Sequence, residues 1–160
     1  MVVVLMGVAG SGKTTIGRAL ATELGWQFYD ADDFHTRANV EKMRQGTALT
    51  DADRLPWLEM LRTLVAACLE RNESAVLACS ALKESYRQYL LLDERVQLFY
   101  LKGDYALIEA RLRQRQDHFM KPQMLDSQFA TLEEPAQGSY LDISATPSDI
   151  IQTIKSRLGV

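Results

Sequence analysis

The stretch "GVAGSGKT" at residues 7–14 packs three glycines, a lysine and a threonine into eight positions. Gly7, Gly12, Lys13 and Thr14 follow the spacing G-x-x-x-x-G-K-S/T, with Gly10 between them. The apolar run "VVVLM" precedes them and the amphipathic run "TIGRALATELG" follows. In that strand-then-helix context the spacing is a phosphate-binding loop. Backbone N–H groups over Gly7, Val8, Ala9, Gly10, Ser11, Gly12, Lys13, Thr14 and Thr15 can converge on phosphate oxygens at the positive end of the helix. Lys13 can reach the β- and γ-phosphates as a mobile charge, and the Thr14 hydroxyl can ligate Mg²⁺. The loop is built to hold a nucleoside triphosphate. It specifies binding and no reaction, because switches, motors and small-molecule kinases share it.

Carboxylates narrow the field. "FYDADDFH" puts Asp30 and Asp32 two residues apart, so in extended chain both face one side. One can serve Mg²⁺ while the other accepts the proton of an attacking hydroxyl. The structural alternative is that the group caps the following segment, with Asp33 the favoured cap. "VLACSALKESYR" has no aspartate at the end of its strand, which puts the metal role on Asp30 or Asp32. Ser80 can orient substrate or metal-bound water, and Lys83 and Arg87, four apart, can share a helix face. Arg111 and Arg115 are likewise four apart and can close over a polyphosphate, although such a pair is also what a solvated helix face looks like. No chemistry is assigned to His118, which phosphoryl transfer does not require.

These residues need a scaffold. Short β-branched runs alternate with longer amphipathic segments, the pattern of an α/β fold with helices on a parallel sheet. Strands are expected at Val2–Met6, Gln27–Asp30, Ala75–Cys79, Gln97–Leu101 and Tyr140–Ile143. One helix follows the loop, burying Ile16, Ala19 and Leu20 and ending at Gly25. A second runs over 55–70 with Leu55, Leu58, Leu61, Leu64 and Cys68 on one face, and a last one starts at Thr146 and Pro147. The segments 31–56 and 113–139 are too long for plain connections and read as a substrate-binding segment and a lid.

All 160 residues read as one domain, and 47% hydrophobic content suits a chain of that size with a sizeable core. A net charge of −3 offers no general attraction for nucleic acid or an acidic membrane, so any anion must be caught locally. Cys68 and Cys79 lack metal-ligand spacing, and "MVVVLM" is too short for a signal peptide or a membrane span, so a cytoplasmic protein is expected.

Five blocks, "GVAGSGKTTIG", "FYDADDFH", "LTDADRLPWL", "LACSALKESYR" and "DHFMKPQMLDSQFATLEEP", together resemble the P-loop gluconate kinases, the gluconokinase family, over nearly the whole chain. The resemblance implies a P-loop NTPase-type three-layer sandwich: a five-stranded parallel sheet of order 2-3-1-4-5, helices on both faces and a mobile lid. It implies transfer of the ATP γ-phosphate to the 6-hydroxyl of D-gluconate, with Mg²⁺ and commonly as a homodimer. By the same likeness Asp30 and Thr14 serve the metal and Asp32 is the base. His35, Arg54, Ser80, Lys83, Arg87 and His118 fall in substrate-side blocks, with Arg54 suited to fork onto a carboxylate. Lys13, Arg111 and Arg115 stabilise the transferring group. Three positions depart from the family pattern: Thr36 stands where proline is usual, Asp117 where glycine is, and Ala130 where an acidic residue is common. Thr36 is expected to loosen a turn that proline would fix. The alternatives are a kinase for shikimate, another sugar acid or a nucleoside monophosphate, and a nucleotide-binding module without catalysis.

Overall fold

The computed structural model describes residues 1–114 and 122–160. Its sheet has five strands, β1 (Val2–Met6), β2 (Gln27–Asp30), β3 (Ala75–Ala78), β4 (Val96–Lys102) and β5 (Ser139–Asp142), all parallel in the order β2-β3-β1-β4-β5. β1 is central, with Val4 opposite Leu77 on one side and Leu98 on the other. Every residue of β1 is buried, as a strand covered on both faces must be, which explains its unbroken apolar run.

The two-residue period of β1 divides the core. Val2, Val4 and Met6 face one layer, built by Trp57, Leu58, Leu61 and Val65 of the long helix α3 (Asp51–Glu70). Val3 and Leu5 face the other, built by α1 (Lys13–Leu24), α5 (Tyr105–Arg113), α6 (Pro122–Thr131) and α7 (Pro147–Leu158). Each fully buried Leu or Ile there contributes about 1.5–3 kcal/mol. α2 (Arg37–Arg44) and the short α4 (Glu84–Arg87) complete the chain.

The strands begin and end within a residue or so of their expected positions, and Gly25 takes the left-handed conformation that ends α1. Three expectations need correction. Ala19 is exposed on α1, whose buried face is Ile16, Gly17, Leu20 and Ala21. Leu55 is 43% exposed, because the buried face of α3 is set by Trp57, Leu58, Leu61, Val65 and Cys68 and Leu55 falls outside it. The start is fixed by a capping box: the Thr50 side chain accepts from Asp53 N–H while the Asp53 carboxylate accepts from Thr50 N–H. Thr36 does not loosen its turn. It is the N-cap of α2, its hydroxyl accepting from Asn39 N–H at 3.2 Å. Segment 31–56 is thus a 3₁₀ turn (Ala31–Phe34), α2 and the first turn of α3.

Candidate active site

The carboxyl ends of β1, β2 and β3 open into a cavity of about 440 Å³. Binding sites of open parallel sheets form at this edge. Ala9, Gly10, Gly12, Lys13 and Thr14 form one wall. Asp30, Asp32 and His35 form the next, Val40, Met43 and Arg44 of α2 with Arg54 and Trp57 of α3 the third. Ser80 and Leu82 lie behind, and Met124, Ser127, Gln128 and Thr131 of α6 close the fourth.

The loop is shaped for an anion. α2, α3, α5 and α7 each begin with a side chain that caps an N–H, whereas α1 begins at Gly12 with no side-chain cap. Gly12 sits at φ 98°, a left-handed conformation that a β-carbon disfavours. The first N–H groups of α1 are therefore left for a ligand. Lys13 Nζ donates to Gly7 O at 2.9 Å and Val8 O at 3.0 Å, folding the ammonium over its own loop. Val8 and Ser11 are buried beneath the loop, and Thr15 is exposed at the start of α1.

Thr14 Oγ1 donates to Asp30 Oδ2 at 3.0 Å, while Asp30 Oδ1 accepts from Asp32 N–H at 3.0 Å. The cap of the 3₁₀ turn is therefore Asp30 and not Asp33. A hydroxyl and a carboxylate oxygen side by side are hard oxygen donors of the kind Mg²⁺ takes, completing its shell with phosphates and water. No cluster of three or more His, Cys, Asp or Glu that could hold a metal exists among the described residues. An ion here would thus lean on the nucleotide for the rest of its ligands.

Asp32 reaches into the cleft with its side chain 81% exposed. Although the carboxylate is open to water, the cleft walls crowd it, and this partial desolvation raises its pKa, helped by the Asp30 carboxylate, opposed by Lys13 and helped least by Asp33. His35 has a side chain only 4% exposed. It stacks on Trp57 with ring centroids 4.3 Å apart and planes 13° from parallel. Trp57 is held in turn by its indole N–H on Ala31 O at 2.7 Å. Burial, and secondarily the Arg54 charge, lowers the His35 pKa to about 4, so the ring is neutral at physiological pH. Its Nδ1 is buried with no partner among the described residues.

Arg54 Nη1 donates to the Tyr86 hydroxyl at 2.9 Å, with the guanidinium 5.3 Å from the ring centre. That hydroxyl donates to the Asp51 carboxylate, which also pairs with Lys83 Nζ at 3.1 Å. Lys83 therefore stands behind Arg54, off the cavity wall. Arg87 is fully buried and holds the turn after β3, donating to Ala81 O at 2.8 Å and pairing with Glu84 at 3.0 Å. Ala81 is left-handed there, at φ 46°. Arg111 donates to Ile143 O at 2.6 Å, away from the cavity wall. Arg115, Asp117 and His118 lie outside the described residues.

The sequence reading gave no α6 residue a role in the site, yet Met124, Ser127, Gln128 and Thr131 line the cavity at the i, i+3, i+4, i+7 spacing of one helix face. That stripe was the available signal. Gln128 goes furthest, its Oε1 accepting from Ala9 N–H at 2.7 Å. Tyr86 was also missed, and nothing in its spacing announces a contact with Arg54.

A family profile described as "AAA domain" matches residues 2–135. A probable gluconokinase of Mus musculus is 41% identical over 92% of this chain and 90% of its own length. The thermosensitive gluconokinase of Escherichia coli is 46% identical over 88% of this chain and 75% of its own. The chain belongs to the gluconokinase family. Among solved structures, a gluconokinase from Sinorhizobium meliloti superposes with a TM-score of 0.82 at 35% identity, covering 98% of this chain and 91% of that one. A sugar kinase from a Janibacter species reaches 0.92 at 40% identity, covering 99% and 94%. Shikimate kinase from Aquifex aeolicus, 16% identical with a TM-score of 0.61 over 99% and 96%, shares the fold that gluconokinases use. The family places an ATP-dependent kinase on this sheet, as the loop alone could not.

Proposed function

We propose that the protein transfers the γ-phosphoryl group of ATP to the 6-hydroxyl of D-gluconate, giving 6-phosphogluconate and ADP. What carries the reading is one cavity in which the phosphate loop, the Thr14–Asp30 pair, Asp32 and Arg54 line adjoining walls, in a chain whose relatives are gluconokinases. The loop amides and Lys13 hold the polyphosphate. Thr14 and Asp30 would hold Mg²⁺, which when bound neutralises charge on the β- and γ-phosphates. Asp32 accepts the proton of the 6-hydroxyl as that oxygen attacks phosphorus and the bond to the bridging oxygen of ADP breaks. Its raised proton affinity makes it the better base. Arg54 takes the sugar carboxylate in its planar fork, and the neutral His35 ring, stacked on Trp57, shapes the acceptor wall beside it. Ser80 lines the acceptor side, with Lys83 acting through Asp51 and Arg87 through the turn it holds. Arg115 and His118 are assigned to the lid in this reading, whereas Arg111, expected beside them, is held on Ile143 O and has no part in it.

ADP release measured with ATP, Mg²⁺ and a panel of D-gluconate, shikimate, glucose and AMP tests it. Saturable turnover confined to gluconate is expected; turnover with another member moves the acceptor, and silence with ATP still bound removes the catalytic reading. The resemblance alone supports a homodimer, which light scattering on the purified chain decides. We set the protein in the cytoplasm, where ATP is supplied, in keeping with its two unpaired cysteines.

A further inference from the structure

The contact between α6 and the loop has a chemical orientation. Gln128 meets Ala9 through a backbone N–H, and an N–H can be met only by the carboxamide oxygen. The Gln128 amide is therefore fixed oxygen-inward, leaving its two N–H donors on the other end of the same planar group.

The place is equally defined. Ala9 N–H belongs to the peptide group whose carbonyl, Val8 O, accepts the Lys13 ammonium at 3.0 Å. One peptide unit thus has Lys13 on one end and Gln128 on the other. Lysine in such a loop serves the β- and γ-phosphates, so Gln128 is attached to the loop where the transferable phosphate must come. The helix carrying it is anchored: Leu125 is 2% exposed and Phe129 packs on the same core layer. Just beyond α6, Glu133 N–H donates to Leu82 O at 2.8 Å. The side chain is therefore presented from a helix packed on the core, which fixes where a reacting group would meet it.

We propose that Gln128 is a catalytic residue of this kinase: its carboxamide N–H groups donate to the γ-phosphoryl oxygens during transfer, while its oxygen holds the Ala9 peptide. The proposal rests on the ATP-kinase reading of the cavity and adds to it a donor from α6. Charge spreads over the equatorial oxygens of the transferring group, and a donor aimed there acts more strongly in the transition state than in the ground state.

Gln128→Glu is the discriminating variant, because a carboxylate still accepts Ala9 N–H but presents an oxygen where the donors were. Gln128→Ala removes both. Turnover with gluconate is measured alongside calorimetric affinities for Mg-ADP and for a non-hydrolysable Mg-ATP analogue, on the full chain. Both variants are expected to lose about 10- to 100-fold in kcat. Gln128→Glu is also expected to bind the ATP analogue less tightly while keeping ADP affinity within about twofold of the unaltered chain, since ADP lacks the contacted group. An unchanged kcat overturns the proposal, as does tighter ATP-analogue binding in Gln128→Ala with kcat retained, the mark of a simple latch on the empty loop. Equal losses of ADP and ATP-analogue affinity also overturn it, because they report a loop scaffold. If the unaltered chain does not phosphorylate gluconate, the acceptor reading falls, while the ratio of the two nucleotide affinities still judges Gln128.

Discussion

Acidification should destabilise this fold through His35 by an amount that can be worked out. The imidazole has a pKa of 6.5 when free and about 4 in its stack on Trp57. Because the folded value is the lower one, the unfolded chain binds more protons at any pH between the two. The contribution is therefore complete above about pH 6.5 and is lost as the pH falls from there toward about 4. At about pH 5 the unfolded imidazole is protonated by about thirty to one, while the folded ring is mostly neutral, which makes the loss relative to about pH 7.5 about 2 kcal/mol. His35→Phe keeps a ring against Trp57 and removes the titration. Urea unfolding of both proteins at the two pH values gives four free energies, and the quantity of interest is the difference between the two pH losses. The unaltered chain should lose about 2 kcal/mol more than the variant. Equal losses, within about 0.5 kcal/mol, would show that the ring is not held neutral and that the stack does not desolvate it as argued.

Other consequences follow from single contacts. Asp32→Asn should keep calorimetric ATP binding and lose about 10²- to 10⁴-fold in kcat; near-normal turnover would remove Asp32 as the base. The acidic limb of the kcat/KM profile of the unaltered enzyme should lie above the ordinary aspartate value of 3.8, since its proton affinity is raised. Tyr86→Phe takes away the hydroxyl that receives Arg54 and should raise the KM for gluconate up to about tenfold with the KM for ATP unchanged; parallel changes in both would mean that Arg54 does not serve the acid. Thr50→Ala opens the capping box of α3 and should cost about 1 kcal/mol, or about 2–4 °C in Tm by calorimetry.

Legibility in the sequence followed the range of the interaction concerned. β1 could be read because a strand covered on both faces must be apolar throughout, and the loop because its glycines sit between that strand and a helix. The pairing of Asp30 with Thr14 came from the family resemblance, because spacing alone left the metal role open between Asp30 and Asp32. The start of α3 was placed four residues late because the apolar repeat begins only at Leu55, after the polar first turn. Pro56 tells against a helix interior, and here tertiary packing of Trp57, Leu58 and Leu61 overrides it. The box that fixes the start, threonine followed three residues later by aspartate, is local and stood in "TDAD" throughout. Thr36 shows the reverse error: judged by the proline it lacks, it passed for a loss, although its hydroxyl supplies an N-cap that proline could not.

The residues that escaped were those whose meaning depends on distant chain. Arg87 has the charge of a phosphate ligand and four-residue spacing from Lys83, yet its guanidinium is consumed by Ala81 O and Glu84, fixing a left-handed residue after β3. Gln128 carries no charge and sits in a run that reads as an ordinary amphipathic helix, 119 residues from its partner Ala9. Charge draws the eye in a one-dimensional reading because it is costly to bury, but a buried charge can be met by the backbone and stop there. An amide that spends one end on the loop keeps the other for a ligand. The distinction between Arg87 and Gln128 is therefore one of remaining hydrogen-bond capacity at the cavity wall, a property of the folded site that residue type does not carry.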